Sequence, residues 1–193
     1  MKRVIVIFGL MGTGKTTLAA ALGRELGWPV VHSDAVRKTL AGLTPTTPTP
    51  VEFGKGIYDA DFSRRTYEEM LSQAKAHLAA GKSVILDGSY KRIAERELVK
   101  QLARDNGAAA IFLYCACPPK VVLQRLDIRT QDPQSISNGR EEILAAQARD
   151  FDPVDLTLPD FWGVNTNREM PDILEKVKYL LETYELGTDF NTE

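Results

Sequence analysis

The segment Gly9-Leu10-Met11-Gly12-Thr13-Gly14-Lys15-Thr16 constrains this chain more than any other. It follows the apolar run Arg3 to Phe8 directly. It also leads straight into a helical pattern in which Leu18, Leu22 and Leu26 recur at every fourth residue. A glycine-rich loop between a strand and a helix, ending in Lys-Thr, is built to cradle phosphate. The glycines let backbone amides close around phosphate oxygens, and the helix N-terminus adds a positive partial charge. Lys15 then reaches the β/γ-phosphates and the Thr16 hydroxyl ligates Mg²⁺. Gly9, Leu10, Met11, Gly12, Thr13, Gly14, Lys15, Thr16 and Thr17 are therefore expected to line a nucleotide, with Lys15 also catalytic and Thr16 on the metal.

Four further apolar runs alternate with helical patterns: Pro29 to His32, Ser83 to Asp87, Ala108 to Cys115 and Phe161 to Asn165. Tyr67, Met70, Leu71, Ala74 and Leu78 follow the i, i+3, i+4, i+7 spacing of an amphipathic helix. A last helix is expected from Pro171 to about Tyr184, burying Ile173, Leu174, Val177, Leu180 and Leu181. Strands this continuously apolar are covered on both faces, so the sheet should be mostly parallel and the fold a doubly wound α/β layer structure. A length of 193 residues suits one domain spanning the whole chain. With 44% hydrophobic residues and no apolar run near the roughly 20 that a bilayer requires, no membrane association is expected. Met1-Lys2-Arg3 and the following apolar residues resemble a leader, but glycines and Lys15 interrupt the run too early, and it reads as a strand. Cys115 and Cys117 are too close for an ordinary disulfide and too few for zinc, which points to packing residues and a reducing cytoplasm. The net charge of -2 excludes the broad basic field that a long nucleic-acid tract needs.

Two segments fall outside the alternation. Thr44 to Pro50, TPTTPTP, carries too many prolines for a helix and reads as an extended loop within an acceptor-binding segment of about 35–68. Residues 118–155, rich in Arg and interrupted by Gln131-Asp132-Pro133 and Asn138-Gly139, read as a mobile, largely helical lid.

The chemistry follows from carboxylates at strand ends. Ser83 to Tyr90, SVILDGSY, delivers Asp87 at the strand end where a Mg²⁺-holding carboxylate belongs. Asp87-Gly88-Ser89-Tyr90 lacks the glycine of a DxxG switch, and no NKxD occurs, which disfavours a GTPase. The length is too short for a motor or ring ATPase. A small kinase for a hydroxylated acceptor is what is left. Asp34, at the end of Val30-Val31-His32-Ser33, would share one sheet edge with Gly9 and Asp87, where ligands of open α/β sheets bind. It is either a general base for the attacking hydroxyl or a cap for the next helix. Arg37, Tyr58, Arg64, Tyr67 and Tyr90 are candidate acceptor contacts, suited to a sugar, nucleoside or anionic metabolite.

The whole pattern resembles the small P-loop kinases that group with zeta toxins, the kinase domain of phage polynucleotide kinase and the ATP-binding half of certain bacterial aminoglycoside-phosphotransferase-like fusion proteins. It is similar through GLMGTGKTTLA, HSDAVRKTLAGL, AAGKSVILDGSYKRIAER and CPPKVVLQRLDIR. That resemblance implies a three-layer P-loop fold with a five-stranded sheet of order 2-3-1-4-5. It also implies ATP and Mg²⁺ as cofactors, Asp34 as base, Arg37 at the acceptor, and an arginine-bearing lid with Arg125 and Arg129 as catalytic charges. The expected activity is transfer of the γ-phosphoryl group of ATP to an alcohol of a small metabolite, by a monomer or homodimer. A nucleotide-sugar kinase, a polynucleotide 5′-hydroxyl kinase and a slowly hydrolysing ATP-binding module are the alternatives.

Overall fold

The computed structural model describes residues 1–44, 56–130 and 137–188. Its strands are β1 (Lys2–Phe8), β2 (Val30–His32), β3 (Val84–Asp87), β4 (Ala108–Ala116) and β5 (Phe161–Asn165). They lie in the order β2-β3-β1-β4-β5, with every pair parallel, as the resemblance implied. The helices are α1 (Lys15–Leu26), α2 (Ser33–Leu40), α3 (Ala60–Ala79), α4 (Ile93–Asp105), α5 (Pro119–Thr130), α6 (Ser137–Arg149) and α7 (Met170–Thr188).

Alternation along the central strand divides the interior into two cores. Val4, Val6 and Phe8 point to one face, where α3 supplies Met70, Ala74 and Leu78 and α4 supplies Val99 and Ala103. Ile5 and Ile7 point to the other, against Leu18, Ala19 and Leu22 of α1 and Ile173, Val177 and Leu181 of α7. Each of Val4 to Phe8 is 0% exposed, so β1 is covered on both sides and both sheet neighbours are present. At roughly 1.5–3 kcal/mol for each large aliphatic side chain buried, these two layers are the main source of stability.

Register then builds the functional edge. Ile7 pairs with Asp87 and His32 pairs with the same residue, so β1, β2 and β3 end level with one another. The chain leaves these strands at Gly9, Ser33 and Gly88, all on one side of the sheet, the C-terminal side.

Two boundaries and the burial along α7 differ from expectation. Asn138 and Gly139 do not break the lid segment, because both fall in the first turn of α6, where glycine and asparagine cost least. Leu174 and Leu180 are only half-buried, since the buried stripe of α7 runs Ile173, Val177, Leu181 at intervals of four and both positions lie off that line. That helix also starts at Met170, one residue before Pro171. Gly107 follows α4 at φ 60, the left-handed turn that glycine adopts most cheaply just past a helix. Residues 45–50 of the Thr/Pro loop and the Gln131-Asp132-Pro133 interruption lie outside the described residues.

Candidate active site

The loop between β1 and α1 is held by its own side chains and by three other elements. Gly9 has φ +138, and a Cβ there would stand 2.6 Å from the Cys115 carbonyl oxygen of β4, so only glycine fits. The Leu10 carbonyl oxygen accepts hydrogen bonds from Thr13 Oγ1 at 2.7 Å and from Lys15 Nζ at 2.6 Å. The Lys15 ammonium thus lies folded over the loop it serves. The amide of the same Leu10–Met11 peptide donates to Gln147 Oε1 of α6 at 2.8 Å. Thr166, just past β5, donates from Oγ1 to the Thr13 carbonyl at 2.7 Å. Thr16 and Thr17 stand exposed in the first turn of α1.

Arg125 of α5 takes hold of the same wall. Its guanidinium donates to the Thr166 carbonyl at 2.7 Å, to Thr166 Oγ1 at 3.3 Å and to Cys117 Sγ at 3.6 Å. A Cβ on Gly14 would lie 3.3 Å from Arg125 Nη1, so the guanidinium abuts the phosphate loop. Arg129 shares the helix, but its side chain lies outside the described residues. Both cysteines are free. Cys115 is buried, and burial pushes its thiol up to about 12, which makes it a packing residue as expected.

Asp87 is 4% exposed at the end of β3, and its Oδ2 accepts a hydrogen bond from His32 Nδ1 at 2.8 Å. That bond, together with the negative charge of Asp87, raises the His32 pKa above its ordinary value, against the opposing effect of burial. His32 also lines a cavity of about 240 Å³ with Val31, Val36, Leu40, Glu69 and Gln73, between β2, α2 and α3.

Asp34 sits inside α2 rather than ahead of it. The residue before the helix is His32, with no side-chain capping bond, so the cap reading of Asp34 is corrected. Its carboxylate is 55% exposed and pairs with Lys38 one turn on, at 2.8 Å. On the same helix, Arg37 Nη2 donates to Ser63 Oγ of α3 at 3.3 Å, tying together the two helices that flank the expected acceptor.

The other acceptor candidates divide. Tyr67 and Tyr90 are buried, at 6% and 1% exposure, with ring centroids 4.7 Å apart. Tyr67 Oη bonds Ser89 Oγ at 2.8 Å and accepts the Tyr90 amide at 3.1 Å, so these rings brace the turn after Asp87 instead of presenting a surface. Tyr90 holds φ 41, the sole positive value among described non-glycine residues, and its buried hydroxyl has no partner among them. Local strain of this kind persists only where the surroundings impose it. Arg64 is a surface charge bonded to Asp61 and Glu68 of its own helix, at 2.8 and 2.7 Å. Tyr58 ends a short 3₁₀ turn, Gly56–Tyr58, and its side chain lies outside the described residues.

Four contributors escaped the reading of the sequence as functional residues: His32, Gln147, Thr166 and Arg96. Arg96, 2% exposed, lies 5.6 Å from the Phe8 ring centroid and 5.9 Å from that of Phe151, and donates to the Pro153 carbonyl at 3.0 Å. Beside it, Lys91 and Arg92 pair with Asp150, Arg92 reaches Asp152, and Asp152 Oδ2 accepts the Ile93 amide at 2.8 Å. This clamp fixes the chain leaving α6 against the start of α4. The signal for Arg96 was its spacing after Asp87 and Tyr90; Gln147 and Thr166 carried none.

Among the described residues no three His, Cys, Asp or Glu side chains gather to hold a metal, and no helix is long and apolar enough to cross a membrane. The donors Thr16 Oγ1 and Asp87 Oδ1 suit Mg²⁺ brought in by a polyphosphate. It is a hard cation that prefers a few protein oxygens with phosphate and water completing the octahedron. His32 leaves Asp87 Oδ1 to other partners.

Residues 4–154 match the model of a family described as AAA domain. An uncharacterized protein of Mycobacterium tuberculosis is 30% identical over 150 residues, covering 78% of this chain and 30% of that protein. The chain thus spans under a third of that relative's length. A shikimate kinase of Bacillus anthracis is 31% identical over 131 residues, 67% of this chain and 69% of the enzyme. Among solved structures, a gluconokinase from Sinorhizobium meliloti superposes with a TM-score of 0.68 at 16% identity, covering 100% of this chain and 98% of the other. That degree of identity speaks for the fold alone. The phosphate loop between β1 and α1, the sheet order and the match over most of the chain agree: the protein belongs to the AAA domain family and has a P-loop kinase fold.

Proposed function

We propose that this chain transfers the γ-phosphoryl group of ATP to a hydroxyl of a small-molecule acceptor, a sugar, nucleoside or related metabolite. The observation that carries the reading is the convergence of Lys15, Asp34 and Asp87 on the C-terminal edge of β1, β2 and β3, which end in register. Lys15 exchanges the Leu10 carbonyl for phosphate oxygens when ATP enters. Thr16 and Asp87 are the residues that would hold Mg²⁺, which supplies positive charge at the β- and γ-phosphates. His32 fixes the rotamer of Asp87. Asp34, oriented by Lys38, accepts the proton of the attacking hydroxyl. The acceptor lies on the side of α2 and α3, with Arg37 as its polar contact. Tyr67 and Tyr90 act from behind, by shaping the Ser89 turn. Arg125 reaches a phosphate oxygen by giving up the Thr166 carbonyl, and Arg129 one turn on serves the same charge.

The acidic chain favours a small acceptor over a polynucleotide. The test is incubation of wild type and Lys15→Ala with a metabolite pool and MgATP, read by mass spectrometry. A species that gains about 80 Da, one phosphoryl group, with the wild type alone is expected. ATP consumed by the wild type with no such species would replace the kinase by a hydrolysing ATP-binding module.

A further inference from the structure

We propose that Gln147 is a substrate-contacting residue, a donor to the γ-phosphate held at the mouth of the P-loop. The inference rests on the kinase reading and extends it to a helix that the sequence motifs do not reach. The Leu10–Met11 peptide is gripped at both ends. Its carbonyl accepts Thr13 Oγ1 and Lys15 Nζ, and its N–H donates to Gln147 Oε1 at 2.8 Å. Lys15 is the residue that reaches β- and γ-phosphates, and in this structure it rests on that same peptide. Gln147 therefore meets the loop at its γ-phosphate end.

A backbone N–H can bond only an acceptor, so the Gln147 oxygen faces the loop and the amide nitrogen faces away from Met11. Among the described residues Nε2 has no hydrogen-bond partner, whereas Oε1 is engaged. The side chain is half-buried, and the clamp of Lys91 and Arg92 on Asp150 holds the end of α6 only three residues on. The result is two N–H donors on a side chain whose oxygen is fixed by the loop itself. Beside a phosphate cradle, such a pair suits the oxygens of an anion. No other described side chain of α6 bonds the loop.

Glu is the informative substitution. Gln147→Glu keeps the shape and an oxygen for the Met11 amide, yet exchanges the donor for a negative charge. Gln147→Ala removes both. If Gln147 only anchors α6, Gln147→Glu weakens MgATP and MgADP alike through the general repulsion of its charge, and Gln147→Ala is the less stable variant. If Nε2 serves the γ-phosphate, Gln147→Glu is the worse of the two. The measurement is calorimetric affinity for MgATP and for MgADP, which lacks the γ-phosphate, with the melting temperature as a check on the fold. Expected for Gln147→Glu is a loss of about tenfold or more for MgATP, of the order for a hydrogen bond to a charged group, and under about threefold for MgADP. Equal affinities of Gln147→Glu and wild type for MgATP, or equal losses for both nucleotides, would overturn the proposal. Wild type that binds neither nucleotide would instead overturn the kinase reading beneath it.

Discussion

Gly9→Ala tests whether the phosphate loop is set by backbone geometry, and two separate costs can be worked out for it. At φ +138 an L-residue is strained by about 1–3 kcal/mol. The added methyl then stands 2.6 Å from the Cys115 carbonyl oxygen, and β4 has no freedom to yield there, being paired on both sides, Tyr114 with Phe8 and Cys115 with Val164. Overpacking of this kind costs about 1–3 kcal/mol more. The sum, about 2–6 kcal/mol, is a large part of the roughly 5–15 kcal/mol by which a domain is stable. Gly27→Ala is the control, because its φ of +66 carries the strain but nothing lies within 4 Å of the new Cβ. It should cost about 1–2 kcal/mol, the left-handed penalty alone. Urea unfolding of the three proteins gives the difference, and MgATP affinity measured below the transition gives its consequence for the site. Gly9→Ala should be the less stable by at least about 1 kcal/mol and should bind MgATP more weakly, since the loop must move to relieve the contact. Equal stabilities of the two variants, with MgATP affinity unchanged in Gly9→Ala, would refute the argument.

Asp34→Asn weakens an i,i+4 pair between the exposed Asp34 and the half-buried Lys38 worth about 0.3–0.5 kcal/mol, so the fold survives, while phosphorylation of the acceptor should fall about 10²–10⁴-fold with MgATP affinity kept. Turnover within about threefold of wild type would remove Asp34 as the base. Arg125→Ala should lower kcat more than it raises the KM for ATP, and an effect on melting temperature alone would leave the guanidinium as a strut between α5 and Thr166. The hydrogen bond from Lys91 holds the Asp150 carboxyl below its usual range, with Arg92 adding to the effect. A depressed folded-state value contributes stability above the unfolded carboxylate range, near pH 4, that is lost as pH falls through the folded value. Asp150→Asn should therefore be less stable than wild type by a constant margin near neutral pH, and urea titrations should show that margin closing below about pH 4. A margin independent of pH would mean that the carboxylate charge contributes nothing.

What the sequence disclosed follows from the range over which each signal acts. The P-loop is a local object: its glycines, its lysine and the flanking hydrophobic periods all lie within Arg3 to Leu26, and each constrains the others. The strand order came from family resemblance, because apolar runs show that strands exist but not which are neighbours. Asp87 was legible as a carboxylate at a strand end. Its bond to His32 was not, since it depends on β2 and β3 ending in register, a fact of pairing across 55 positions. Tyr67 and Tyr90 show the reverse error. Aromatic hydroxyl residues near a site read as ligand contacts, yet the physical demand met here is to pack beneath a strained turn, and composition cannot tell the two apart.

Gln147 marks the far limit of legibility. Its bond to Met11 joins positions 136 apart, and α6 has no apolar stripe or charge pattern to advertise which face it presents. What places it is the acidic Asp150–Asp152 pair closing on Lys91, Arg92 and the start of α4. Those contacts place the segment after Asp87 between two parts of the proposed site. Its first residues position a carboxylate, and its next ones hold the helix that bears Gln147. Substitutions at Arg92 or Asp152, far from the phosphate loop in sequence, should accordingly weaken triphosphate binding through α6 while leaving the bond between His32 and Asp87 untouched.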